Sequence, residues 1–149
     1  MMIRLNNTKY DELPILSNMS QQKHISTHLN SKPLKEFQKE FLLDTIIYLS
    51  IVNIDNIIMG YVILSTEEKS VQLKRIVIDE KHLGIGQEVL REVEQYCLKK
   101  LDTNSLWLDV YADNSRAMYV YKKLRYERFK KGIENAREVL FYRKTIVKG

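Results

Sequence analysis

Two groups of residues in this 149-residue chain have the types and spacing to do chemistry. The first is Lys81-His82-Leu83-Gly84-Ile85-Gly86-Gln87, between the β-branched run Arg75-Ile76-Val77-Ile78 and an amphipathic pattern that starts near Ile85. A strand, a glycine turn and a helix in that order make an anion cradle. Gly84 and Gly86 let the backbone come close, and the unpaired N–H groups and positive dipole end of the helix face the anion. The arrangement suits a nucleotide pyrophosphate, although a tight strand-to-helix connection would use the same glycines. A dinucleotide fingerprint requires a third glycine and a later acidic residue, and a P-loop requires Gly-Lys-Ser/Thr. Here Gln87-Glu88 follow Gly86, so a nucleotide ligand other than NAD or ATP is implied.

The second group is Asn114, Ala117 and Tyr121. Separations of three and four place all three on one face of a helix, with small Ala117 leaving room beside an amide and a hydroxyl. Two further candidates carry less. The single cysteine, Cys97, falls at an apolar helical position and reads as a buried thiol in a reducing compartment rather than a nucleophile. His24 and His28 have the i, i+4 spacing of a zinc pair, but no glutamate accompanies them in a helical motif, so no metal site is expected.

These groups need a scaffold. Residues 2–5 read as a strand, and Thr8 with Asp11 resembles a capping box for a helix carrying Leu13, Leu16 and Met19. Residues 21–30 read as a loop. Ser31 and Pro33 mark a second helix start, with Leu34, Phe37 and Phe41 on one face. Apolar runs at 45–52, 57–64 and 71–78 form a three-strand antiparallel meander. Residues 85–100, with Ile85, Val89, Val93 and Cys97 at four-residue spacing, make a crossover helix to a parallel strand at 105–111. A last helix from Asn114 or Ser115 to Leu124 and a hairpin of 126–130 with 138–146 close the chain. The fold class is α/β (α+β): a mixed central sheet of about seven strands flanked by about four helices, in the order β-α-α-β-β-β-α-β-α-β-β. Without repeats or linkers, residues 1–149 form one domain.

That length buries an adequate core without disulfides or metal. No run approaches the roughly twenty apolar residues of a membrane span and the N-terminus lacks an apolar signal core, so a soluble, cytoplasmic protein without a membrane partner is expected. The net charge of +5 favours anionic partners in general.

The two groups together resemble the GNAT superfamily of acyl-CoA N-acyltransferases. Its signatures are Arg/Gln-x-x-Gly-x-Gly/Ala after the fourth strand and Asn-x-x-Ala-x-x-x-Tyr-x-Lys-x-Gly-Phe after the fifth. Lys81 through Gly86 and Asn114 through Tyr126 carry both in order. Lys81 replaces the usual Arg or Gln, and Arg125-Tyr126 stands where the family has Gly-Phe. The short loop before Gly84 is similar to the branch that contains ribosomal-protein and diamine acetyltransferases.

The resemblance implies acetyl-CoA as acyl donor, with no metal, and a primary amine of a small molecule, protein or peptide as acceptor. Backbone groups of Ile76, Val77 and Ile78 would hold pantetheine, and the amides of Leu83, Gly84, Ile85, Gly86 and Gln87 the pyrophosphate. Asn114 either caps its helix or contacts the pantetheine arm, and the two roles are compatible. Ala117 lies beside that arm, and Lys123 is the candidate for the ribose phosphate. The rest of the basic cluster, Lys122, Arg125, Arg128, Lys130 and Lys131, reads as a solvated face. Tyr121 is the catalytic candidate, a phenol protonated at neutral pH that can donate to a departing thiolate.

No carboxylate lies in 71–78, where some family members carry a base, which leaves Asp109, Glu80 and His82 as substitutes. The missing carboxylate also suggests an alternative, a non-catalytic CoA-binding regulatory protein of the same fold. Nucleic acid is not expected as a partner, because exposed aromatics in an RNA-binding pattern are lacking. A homodimer is the family habit.

Overall fold

The computed structural model describes residues 2–26, 29–30 and 32–147. Seven strands and five α-helices occur among them: β1 (Arg4–Asn7), α1 (Leu13–Ser20), α2 (Lys23–Ser26), α3 (Leu34–Phe41), β2 (Ile46–Val52), β3 (Ile58–Ser65), β4 (Val71–Ile78), α4 (Gly86–Lys100), β5 (Ser105–Tyr111), α5 (Ser115–Lys123), β6 (Glu127–Glu134) and β7 (Arg137–Thr145). One sheet takes all the strands in the order β1-β2-β3-β4-β5-β7-β6. β4 and β5 are its only parallel neighbours, and α4 is the crossover between them.

Alternation along the strands gives the sheet two apolar faces. On one, Leu49, Ile51, Val62, Leu64 and Leu73 meet Val89, Val93 and Cys97 of α4, with Tyr121 and Leu124 of α5 in the same cluster. On the other, Tyr48, Tyr61, Ile63 and Val77 meet Leu13 and Leu16 of α1 and Phe37 of α3. Val89, Val93 and Cys97 are fully buried, as their four-residue spacing requires, each valine contributing roughly 1.5–3 kcal/mol. Burial, with Glu94 nearby, pushes the Cys97 thiol up to about 12, so it stays protonated and inert.

Three expectations are corrected. Residues 21–30 are not all loop, since α2 lies within them and adds a fifth helix to the four expected. The first capping box is not built by Thr8 and Asp11. Thr8 is buried, its amide donating to the Tyr48 carbonyl and its hydroxyl 2.8 Å from Ser50 Oγ, so the first helical turn starts two residues later. Glu12 Oε1 accepts from the Lys9 amide there instead, at 2.8 Å. The closing hairpin is longer than expected, because β6 runs on to Glu134 before a turn in which Asn135 and Ala136 both have positive φ. β6 is an edge strand, exposed along nearly its whole length, with an irregularity in its register at Phe129. The Ser31 helix signal lies outside the described residues, and Pro33 is the N-cap of α3.

Candidate active site

The sheet opens where the two groups of residues converge. β4 and β5 pair only at Val71 with Leu106, Gln72 with Trp107 and Leu73 with Leu108. Beyond that point β4 pairs with β3 alone and β5 with β7 alone, leaving a wedge between 74–78 and 109–111. The parting has a local cause. Leu73 pairs with Leu64 but Arg75 with Ile63, so Lys74 is an extra residue in the ladder, and such a bulge bends its strand. The backbone edges facing the wedge have no strand partner across it.

The cradle stands at the end of β4. The Asp79 amide donates to the Met59 carbonyl, and Asp79 Oδ2 accepts from the Lys81 amide in a short turn. Gly84 has φ +103°, a conformation that strains any residue with a Cβ. Gly86 has ordinary φ, and a Cβ there would meet only Ile78 Cδ1 at 3.8 Å, so Gly84 alone is required by backbone angle. Ile85, the N-cap of α4, supplies no side-chain acceptor, so the amides of the first turn keep free N–H groups for an anion. Leu83 is exposed and Gln87 half-buried beside them.

Ile76 and Ile78 pack on the α4 face and Val77 on the α1 face, while their backbone borders the wedge. The Ile78 carbonyl is already engaged, accepting from His24 Nε2 at 2.8 Å. His24 thus ties α2 to the end of β4; His28, its expected partner in a zinc pair, lies outside the described residues. Gln22 ties the same corner, donating to Asp79 Oδ1 at 2.5 Å and accepting from the Glu80 amide. That hydrogen bond, opposed by burial and helped by the Lys81 amide, holds the Asp79 carboxyl below its usual range. No group of three or more His, Cys, Asp or Glu suited to a metal occurs among the described residues.

On the far side of the wedge Asn114 caps α5, its Oδ1 accepting from the Ala117 amide at 3.2 Å. The capping role is therefore realised, and the side-chain amide stays available. Ala117 packs against the core and Lys123 is exposed on the last turn. Tyr121 is buried, its ring 6.0 Å from that of Tyr126 and 5.8 Å from that of Tyr142. Burial, with the charge of Asp109 and then Tyr142, pushes its phenol well above the ordinary value.

Arg125-Tyr126 leaves the helix exit intact. The Tyr126 amide donates to the Tyr121 carbonyl and the Arg125 amide to that of Lys122, a Schellman closure with Arg125 at φ +70° where glycine is usual. Tyr126 gains a partner of its own, donating to Glu94 Oε2 at 2.7 Å, while Lys144 pairs with the same carboxylate.

Of the three substitute bases only Asp109 stands at the parting of β4 and β5. Burial, then Glu134, raises its carboxyl above the usual range. Glu80 is exposed and His82 half-exposed on the turn before the cradle. Sequence reasoning missed the groups on the α1 face. Arg75 Nε donates to Tyr61 Oη at 2.9 Å and its Nη1 to the Asn30 carbonyl at 3.1 Å. Tyr111 Oη donates to Asn30 Oδ1 and accepts from Asn135 Nδ2. These contacts join residues up to 81 positions apart, which no local pattern signals.

Comparison with known proteins bears on the family and the fold. Residues 15–126 match the model of the acetyltransferase (GNAT) family. A sequence comparison with curated proteins gives no match. Among solved structures, the spermidine N-acetyltransferase of Vibrio cholerae in complex with CoA and spermine has a TM-score of 0.82 at 14% identity, over 95% of this chain and 94% of that one. The aminoglycoside acetyltransferase AAC(6')-Ib with coenzyme A and kanamycin has a TM-score of 0.81 at 15% identity, over 97% and 95%. Identities this low establish a shared fold.

Proposed function

Since the chain belongs to the acetyltransferase (GNAT) family, we propose that it transfers an acetyl group from acetyl-CoA to a primary amine by direct attack in a ternary complex. The observation that carries this reading is the wedge with an uncapped helix N-terminus at its mouth. The residues fit the donor. Free amides from Leu83 to Gln87 would take the pyrophosphate, the backbone of Ile76–Ile78 and the side chains of Asn114 and Ala117 the pantetheine, and Lys123 the ribose phosphate. Acetyl-CoA supplies the activated thioester; the protein aligns it with the amine and excludes water.

Tyr121 acts as a hydrogen-bond donor to the departing sulfur. Its raised pKa makes it a weaker acid than a thiol, so its contribution is to stabilise negative charge on sulfur rather than to surrender the proton outright. Asp109, at the parting of the strands, is the carboxylate best placed to receive the ammonium proton, directly or through water.

The same reading extends to the setting. It covers residues 1–149 as one domain, on the support of a sheet that takes strands from Arg4 to Thr145. It is cytoplasmic, supported by a single buried cysteine, and no described helix is long and apolar enough to cross a membrane. A homodimer follows from family habit alone and is tested by light scattering.

Calorimetric titration with acetyl-CoA tests the cradle, with Gly86→Asp as the control. Ordinary φ and a nearest contact at 3.8 Å accommodate the new Cβ, and an aspartate at the first helical position suits the dipole while repelling a pyrophosphate. Binding by the wild type that is lost in a folded Gly86→Asp protein supports the assignment. Equal affinities would move the anion elsewhere.

A further inference from the structure

Building on the acetyltransferase reading, we propose that the acceptor is an amine bearing a carboxylate or carbonyl oxygen close to its nitrogen, the α-amine of an amino acid or short peptide, and that Arg75 selects it. Arg75 leaves β4 two residues past the last β4–β5 pair, on the α1 face. Its Nη1 reaches Asn30, which also receives the Tyr111 hydroxyl from β5, so the guanidinium lies across the mouth of the wedge from β4 toward β5.

Every partner of this guanidinium among the described residues is neutral. Tyr61 Oη and the Asn30 carbonyl accept from it, no carboxylate pairs with it among the described residues, and Nη2 is buried without any acceptor. Lys32 and Lys74, by contrast, both have a carboxylate partner, Glu40. A sheltered N–H on an uncompensated cation calls for an oxygen, and an anionic or carbonyl oxygen meets that need best.

The test is CoA release at saturating acetyl-CoA from L-alanine, L-alaninamide, L-alanyl-L-alanine, isopropylamine and spermidine. Wild type is compared with Arg75→Lys, which keeps the charge but has one nitrogen where arginine has three, and with Arg75→Met. Each acceptor is compared with itself across the proteins, so differences in amine basicity cancel. The three oxygen-bearing acceptors are expected to lose about ten- to a hundredfold in kcat/KM, through KM, the scale of a hydrogen bond to a charged group. That loss should exceed the loss for isopropylamine at least tenfold. Alanine against its amide and dipeptide separates a free carboxylate from a peptide carbonyl. Thermal unfolding and acetyl-CoA affinity establish that each variant is folded, and the lysine variant carries the test where the methionine one is not. Acetylation of spermidine or isopropylamine with no loss specific to the oxygen-bearing amines overturns the inference and leaves acetyl transfer standing. Acetyl-CoA binding without turnover of any of the five overturns the inference as well. Failure of the wild type to bind acetyl-CoA overturns the underlying reading itself.

Discussion

Gly60 should be the least replaceable small residue in the sheet. It lies on β3 opposite Ile78, and a Cβ built on it falls 2.2 Å from the Val77 carbonyl oxygen and 3.0 Å from Ile78 Cα, with Ile51 Cδ1 at 3.1 Å. The first two are backbone atoms and cannot rotate away. Contacts of this kind settle near 3.5 Å, so Gly60→Ala must push the end of β4 outward by about 1 Å. Overpacking on this scale costs about 1–3 kcal/mol, or roughly 2–12 °C in Tm for a chain of this length. The displaced backbone is also the proposed pantetheine edge, so acetyl-CoA affinity should fall along with stability. Scanning calorimetry and acetyl-CoA titration of Gly60→Ala beside Gly132→Ala read both effects. In the second variant the new Cβ meets only Phe141 Cε1, at an ordinary 3.5 Å, and little change is expected. A Gly60→Ala protein with wild-type Tm and wild-type acetyl-CoA affinity would refute the reasoning, because β4 would then have no need of that glycine.

Tyr121→Phe should lower kcat about a hundred- to a thousandfold, the usual cost of one donor to developing charge, while the acetyl-CoA Kd stays within twofold; full turnover at saturating donor would remove Tyr121 from the chemistry. Arg125→Gly should raise stability by up to about 1 kcal/mol, since relief of a left-handed residue exceeds the added freedom of the unfolded chain, and denaturant unfolding reads the sign. Glu40 supplies an acid-sensitive element. Burial works to raise its carboxyl, but hydrogen bonds from Lys32, Tyr48 and Lys74 prevail and hold it at about 2. A depressed carboxylate stabilises the fold above its usual value near 4.5 and loses that contribution as pH falls toward 2, so Glu40→Gln should flatten the decline in Tm between pH 5 and pH 2.5. Asp109 has the opposite sign. Its raised carboxyl opposes folding once ionised, so Asp109→Asn should raise Tm at pH 7 and change it little at pH 3.

Periodicity carried most of this fold because each buried face repeats locally. Val89, Val93 and Cys97 announce α4, and the alternation of β2 to β4 announces the meander. Gly84 was legible for a related reason, since few residues tolerate its backbone angle. The first capping box was misread because Thr8 serves Ser50, a partner 42 residues away that the local motif does not show. The wedge follows from one extra residue at Lys74, which leaves no trace in hydropathy, and Arg75 acquires meaning only through Asn30 and Tyr61, brought beside it by the packing of the first helices. Chemistry set by backbone geometry could be read along the chain, whereas chemistry set by contact between distant elements could not.

β6 has a consequence for colloidal behaviour. It ends the sheet with a row of backbone groups open to solvent, a template on which strands of other molecules could grow. Lys130 and Lys131 stand at its centre, and the irregularity at Phe129 spoils a straight ladder. Two molecules approaching edge to edge would set lysine against lysine before any hydrogen bond could form. Replacing both lysines with valine and threonine should leave the fold intact yet turn a well-behaved solution into one that clouds on concentration.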